Sequence, residues 1–419
     1  MNKKSQQKKG ESELQVDEDL IFFIDQTGQL GGAELCLYDI AVEFREKARV
    51  VLFQEGAFRD RLVEAGIGVT VFDSNLDQFR RSSGPLGMVG AMVALVNPIV
   101  GLLRLSKSSD LFYANTQKAA IAAFVAGKIG GRKTVWHLHD IITSPHFSRA
   151  NRGILVALAN ASCSHVIANS EASLEAFREA GGTVPGTVVY NGIDRRRFAA
   201  GQETAISWRR KLGLREQTTV GIFGRLAEWK GQLEFVEALA RCEGIQGIIV
   251  GGALFGDDEE YAKRVESRVA DLGLEERVSF LGFRDDIPEL MAACDVVVHA
   301  STDPEPFGRV IAEAMLSHRP VVATRGGGAT ELVGEENERG ILVEGGNVSQ
   351  LEEAIRQFID HEELREKVVP AAFEFAAKNF SLEKIAVEIR AILNELKREN
   401  FKDSQREPEI AMQSMKPSE

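Results

Sequence analysis

The chain has 419 residues, of which 44% are hydrophobic and 27% charged, and its net charge is −12. That length exceeds one ordinary core and suits two domains, and the composition is globular rather than fibrous or disordered. Residues 20–198 hold 19 Lys and Arg against 16 Asp and Glu, and residues 199–419 hold 27 against 41, so neither half has the strong basicity of a nucleic-acid binder. Cys36, Cys163, Cys242 and Cys294 are scattered without a Cys-x-x-Cys pair. This argues against a disulfide framework or zinc motif and for a reducing, cytoplasmic compartment.

Residues 1–19 are rich in Lys, Gln and Ser, then acidic, with no apolar stretch, and read as a disordered tail rather than a signal peptide. Leu20–Asp25 is a continuous apolar run, the pattern of a strand buried on both faces. A Gly-rich loop (Thr27–Glu34) and a helix follow, which brings the amides of Gly31 and Gly32 to where a phosphate can be held. The spacing is not Gly-x-Gly-x-x-Gly, which argues against a nicotinamide cofactor. Strands recur at 49–53, 68–72, 110–115, 133–138, 164–168 and 187–190, mostly separated by helical segments, and predict a parallel sheet covered on both faces. Residues 82–103 lack charge, but Pro85, Pro98 and four glycines favour a covering helix over a membrane span; peripheral membrane contact stays open.

His137 and His139 alternate onto one face at the end of the strand that starts at Lys133. A histidine at a strand's carboxyl end can act as acid, base or hydrogen-bond donor. A metal reading of the pair lacks an obvious third ligand. The next loop, 144–152, carries His146, Arg149 and Arg152 and is placed to close over an acceptor. Ser170 reads as the N-cap of a further helix. The turn Asn191-Gly192-Ile193-Asp194 follows the last of these strands, and the run Arg195-Arg196-Arg197 reads as a solvated linker.

The second half opens with a connecting helix (207–211) and the strand Thr219–Phe223, which runs into Gly224-Arg225 and on to Lys230. Arg and Lys in such a turn can converge on one anion, the first as a planar fork and the second as a point charge. Strands follow at 248–250, 277–281, 295–299, 320–323 and 340–343. The strand 295–299 leads into Asp303-Pro304-Glu305-Pro306-Phe307-Gly308, with a helix expected from about Phe307 and Glu313 inside it. A helix start offers free amides and a partial positive charge, a place for phosphate. Glu305 and Glu313 would repel phosphate, so they must serve hydroxyls, and a ligand with both features is a sugar nucleotide. Ser381 is expected to cap a last helix with Ile385, Ile389, Ile392 and Leu396 on one face, and 401–419 reads as a second disordered tail.

The Glu305-to-Glu313 segment, with Phe307-Gly308 between them and Glu-Ala-Met at its end, resembles the signature of the retaining glycosyltransferases of family 4, the group 1 transferases of the GT-B fold. Gly31–Glu34, His139-Asp140, Asn191–Asp194 and Arg225…Lys230 are similar to further motifs of that family, in order. The resemblance implies an α/β chain with two doubly wound, Rossmann-like domains facing across a cleft. Residues 20–198 would form the acceptor domain and 199–380 the nucleotide-sugar domain, with a helix over 381–400 crossing back.

It also implies roles. The expected catalytic set is His139, Arg225, Lys230 and Glu305. Arg225 and Lys230 would grip the donor diphosphate, helped by amides at Gly31, Gly32, Phe307 and Gly308. Glu313 would accept from the ribose hydroxyls, Glu305 would position the sugar, and His139 would contact donor sugar or acceptor. No metal or other cofactor is expected; the nucleotide sugar is substrate, and the acceptor is a saccharide or lipid-linked hydroxyl. Retention by front-face displacement, a cytoplasmic location and contact at the inner membrane face belong to the same implication, the last left open. A GT-B sugar-nucleotide epimerase and a non-catalytic scaffold are the alternatives.

Overall fold

Short apolar runs form the strands, and the strands form two separate sheets. The computed structural model describes residues 20–74, 90, 92–109, 111–145, 147–198, 202–214, 217–253 and 256–413. The tail 1–19, His146, residues 414–419 and most of 82–91 lie outside the described residues.

The first sheet contains β1 (Ile21–Asp25), β2 (Ala48–Leu52), β3 (Gly68–Val71), β4 (Leu111–Ala114), β5 (Lys133–Leu138), β6 (His165–Ala168) and β7 (Gly186–Val188). Its order is β3-β2-β1-β4-β5-β6-β7, parallel throughout. The second contains β8 (Thr218–Phe223), β9 (Ile245–Val250), β10 (Val278–Gly282), β11 (Val296–His299), β12 (Val321–Thr324) and β13 (Ile341–Val343). Its order is β10-β9-β8-β11-β12-β13, again parallel.

Burial follows position in the sheet. β1 and β4 are central and buried at every residue, whereas the edge strand β3 alternates exposed and half-buried positions. A parallel sheet with helices on both faces hides its central strands completely. Each sheet accordingly has a hydrophobic cluster on each face. The last helix packs Ile385, Ile389, Leu393 and Leu396 into a cluster of the first sheet. Beside it, the Ile193 amide donates to the Phe380 carbonyl at 2.8 Å, so the two strands of chain joining the halves run side by side.

Three local expectations change. The helix after Glu305 starts at Arg309, because Gly308 takes a left-handed φ of 89° that ends the preceding turn. Ser148 caps a helix from Arg149, accepting from the Asn151 amide, so Arg149 and Arg152 are helical rather than in a loop. The last helix is one unit from Leu382 to Gln413, so residues 401–413 are helical where a disordered tail is expected; their Glu, Lys, Arg and Gln content suits a helix. In the apolar segment, Val96–Leu105 is helical and buries Pro98, Gly101 and Leu102 while Met92, Val93 and Val96 remain exposed.

Gly231 joins the Lys230 turn to the helix Gln232–Arg241. Its φ is 73°, and a Cβ there would meet the Ala300 carbonyl oxygen at 1.9 Å. Gly231→Ala is expected to cost at least the ~1–3 kcal/mol of a strained backbone position, read by urea unfolding. Unchanged stability would mean that the Lys230 turn does not pack on the segment after β11.

Candidate active site

In each sheet the strand order reverses at one place, between β1 and β4 and between β8 and β11. Connections from neighbouring strands leave such a point in opposite directions and open a crevice beyond the carboxyl ends. The expected site residues lie on the segments that leave these ends.

At the β8–β11 point, Lys230 Nζ donates to Glu305 Oε2 at 2.7 Å and Oε1 at 3.0 Å. His299, the last residue of β11, reaches Glu305 Oε2 at 3.3 Å, and Ser301 Oγ donates to the same oxygen at 3.1 Å. Burial alone would raise the Glu305 carboxyl, but the charges and hydrogen bonds of Lys230 and His299 outweigh it and hold the group well below the carboxylate range. Glu305 is therefore an ionised, oriented acceptor. His299 and Ser301 are missing from the sequence reading; the available signal was their place at the end of a switch-point strand.

Arg225 follows β8 and pairs with Asp258 at 3.6 Å, a partner the sequence reading did not anticipate. Glu313 sits one helical turn beyond Arg309 and binds its Nε at 2.8 Å. Arg309 Nη2 also reaches Asp39 at 3.4 Å, on the helix Gly32–Glu43 of the first half. The Glu313 carboxylate is thus aimed by a buried arginine shared between the halves. Phe307 turns its ring into the core, 5.3 Å from the Phe380 ring, so only its backbone is free to serve a donor.

At the β1–β4 point, Asn115 donates to Asp25 Oδ2 at 2.7 Å and to the Ala33 carbonyl at 3.1 Å. Its own Oδ1 then lies 2.9 Å from His139 Nε2. Burial pushes the His139 imidazole down to about 3, so it is neutral. Gly31 is the N-cap of the helix Gly32–Glu43, with no side-chain capping bond. The Glu34 carboxyl folds back onto it: a Cβ on Gly31 would meet Glu34 Oε2 at 2.6 Å. The Gly31 amide expected to face a donor therefore already has the Glu34 carboxyl as a neighbour.

Burial, together with the Asp25 charge, pushes Glu34 up to about 8 from an ordinary 4.5. A carboxyl raised by folding binds its proton more tightly in the native state. Its stabilising contribution is full below pH 4.5 and is lost as pH rises through about 8. Glu34→Gln is expected to remove a few kcal/mol of that decline, read as the urea midpoint over this pH window. An equally steep decline in the variant would exclude Glu34 as its source.

The comparisons address this geometry. The model of the family "Glycosyltransferase Family 4" matches residues 30–197, and that of "Glycosyl transferases group 1" matches residues 205–375. HepE of Anabaena, solved in complex with UDP-glucose, is 42% identical over 90% of this chain and 99% of its own, with a TM-score of 0.81. The chain belongs to the group 1 glycosyltransferases. Its two-sheet architecture is the GT-B fold of that family.

Among curated relatives, the lipopolysaccharide core biosynthesis mannosyltransferase LpsB of Rhizobium meliloti is 33% identical over 51% of this chain and 62% of its own length. LpsE of the same organism, a lipopolysaccharide core biosynthesis glycosyltransferase, is 33% identical over 39% of this chain and 45% of its own. The chain thus spans about half the length of these curated relatives. HepE has also been solved with UDP, and with UDP and glucose.

Within this group 1 transferase, a cavity of 470 Å³ lies at the opposite, amino end of the second sheet, lined by Thr218, Asp295, Arg319 and Pro320 among others. No helix among the described residues is long and apolar enough to cross a membrane.

Proposed function

We propose that the protein transfers a hexosyl unit from a uridine diphosphate sugar to a hydroxyl of a saccharide or lipid-linked saccharide, retaining the anomeric configuration and needing no metal at the diphosphate. The observation that carries this reading is the half-buried Lys230–Glu305 pair at the β8–β11 switch point. An ammonium has three donors. Glu305 engages it at 2.7 and 3.0 Å and the Trp229 ring centroid lies 4.0 Å from it, and a phosphate oxygen would take the donor capacity that remains.

Cleavage of the anomeric C–O bond leaves charge on the diphosphate. A cation ~4 Å away offsets about 4 kcal/mol of that cost at an effective dielectric of ~20. Lys230 and Arg225 supply cations, and the amides beyond Gly308 and at Gly31 add dipoles. Glu313, oriented by Arg309, accepts from the ribose hydroxyls. Glu305 accepts from the sugar hydroxyls, and His139 Nε2 exchanges Asn115 for a hydroxyl of sugar or acceptor. The acceptor oxygen bonds to the anomeric carbon on the face the phosphate leaves, and its proton passes to the departing phosphate oxygen. The UDP-glucose held by HepE at 42% identity supports the uridine donor, and the name of LpsB supports a lipid-linked saccharide acceptor.

The test is a thermal-shift panel of UDP-glucose, UDP-galactose, GDP-mannose and ADP-glucose on wild type and Arg225→Ala, with and without EDTA. A UDP-sugar at 100 times its Kd should add about 2.7 kcal/mol to wild type, equally with EDTA, and far less to the variant. A shift from GDP-mannose alone would overturn the uridine donor. A donor shift that disappears with EDTA would overturn the metal-free diphosphate site. An inverted anomer, seen by NMR of the product, would overturn retention.

A further inference from the structure

The strand that carries His139 also carries His137, and the fold brings a third group to them. One ring nitrogen of each histidine and the Cys36 sulfur lie within 4.8 Å of one another. Cys36 sits in the second turn of the helix Gly32–Glu43, a hundred residues away in sequence. Cys36 and His137 are each 1% exposed.

The hydrogen bonds around the three groups leave one nitrogen of each ring facing inward. Asn115 spends its amide hydrogens on Asp25 and Ala33, so its oxygen must face His139, and His139 Nε2 must be the donor. The lone pair of His139 is then on Nδ1. That atom is buried without a hydrogen-bond partner, and so is His137 Nε2. His137 Nδ1 is engaged by the Tyr113 hydroxyl at 2.8 Å. Each imidazole therefore has one nitrogen held by an outer partner and one turned inward, the pattern of histidines that bind metals. A buried polar atom with no partner is costly, and native structures contain few of them.

We infer that Cys36, His137 and His139 form a binding site for a thiophilic transition-metal ion, zinc(II) or copper(I). Thiolate and imidazole are the donors both ions prefer. Tetrahedral zinc with bonds of about 2.0–2.3 Å needs donors about 3.3–3.6 Å apart, so from separations of up to 4.8 Å the three groups close by at most about 1.2–1.5 Å on binding. The Cys36 thiol now donates to Asn191 Oδ1 at 3.3 Å. Binding sends that proton to solvent, forms one sulfur–metal and two nitrogen–metal bonds, and changes no oxidation state. A bound ion would tie the helix that begins at the Gly31 loop to the end of β5, fixing the wall behind His139. It would leave the diphosphate site unchanged.

The test uses full-length protein expressed in zinc-supplemented medium and freed of any affinity tag. Elemental analysis should find one zinc or copper per chain, and which element is found separates the two ions. Refolding with cobalt(II) should give a thiolate-to-cobalt charge-transfer band. Cys36→Ser should abolish that band, whereas Cys163→Ser, at a cysteine outside the cluster, should keep it. Tyr113→Phe removes only the outer partner of His137 and should weaken zinc binding about 10–100-fold, measured by chelator competition; it covers the case in which Cys36→Ser fails to fold. Metal-free wild type that takes up no cobalt, or a cobalt band that survives Cys36→Ser, would overturn the site.

Discussion

Lys230→Ala is expected to lower kcat by about 10²–10³-fold, the loss seen when one preorganised donor to a developing charge is removed. The effect has two parts. The variant lacks the cation at the departing diphosphate, and it leaves the Glu305 carboxylate facing that diphosphate without its 2.7 Å partner. Glu305 should then rise from its depressed range, because the ammonium that outweighs burial is gone. Stability should fall toward the lower end of the ~3–5 kcal/mol typical of a broken buried pair, since Ser301 and His299 still touch Glu305. In wild type the Glu305 contribution is present above its ordinary 4.5 and is lost on acidification; in the variant that acid dependence should disappear. Adding Glu305→Gln should recover stability but not turnover. Single-turnover rates with saturating donor and urea unfolding across acid pH read both parts. A variant with wild-type kcat would remove Lys230 from the chemistry.

Arg309→Ala is expected to be the most destabilising substitution at the cleft, by about 3–5 kcal/mol. It strands two carboxylates at once, Glu313 within the same helix and Asp39 in the other half. Burial lowers the basicity of Arg309, yet Glu313 and Asp39 more than restore it, so the guanidinium stays charged. Donor affinity should fall with stability, because Glu313 loses the group that aims it. A double-mutant cycle of Arg309→Ala with Asp39→Asn should show coupling of about 0.5–3 kcal/mol. Coupling near zero would mean that the halves do not share this arginine in solution.

Arg309 also marks how much of the site is legible in the linear chain. It lies between Glu305 and Glu313, in plain view, yet nothing local distinguishes it from a solvated helix arginine. Its role depends on Asp39, 270 residues earlier. The same holds for Glu331. Its carboxylate accepts from the Ala172 amide at 2.8 Å and the Glu171 amide at 3.1 Å, capping a helix of the first half beside Ser170. Nothing local marks Glu331 as the cap of a helix 160 residues earlier.

The reverse is true of the strands and their ends. Leu20–Asp25, Thr219–Phe223 and Asp295–His299 are recognisable because a strand hidden on both faces must be apolar along its length. The glycines and charged residues just beyond them stand out against that background. The Gly31 loop, Arg225, Lys230, Glu305 and Glu313 could therefore be picked out before any coordinates, and their resemblance to the family's motifs joined them into one expected site. Helix limits were less legible where one residue decides them: Gly308 in the left-handed region moves a start by two positions, and Ser148 creates one inside an expected loop.

Hydrophobic periodicity and turn chemistry are local, so the chain alone determined the apolar strands, a parallel sheet in the first half and the residues at the strands' carboxyl ends. Contacts between side chains distant in sequence carry no local signal. Only the tertiary structure decided that His299 and Ser301 hold Glu305, that Arg309 spans to Asp39, that Phe307 turns inward, and that Cys36 meets His137 and His139. Each follows from how helices pack on the sheet and how the halves meet, which the chain sets only by folding as a whole.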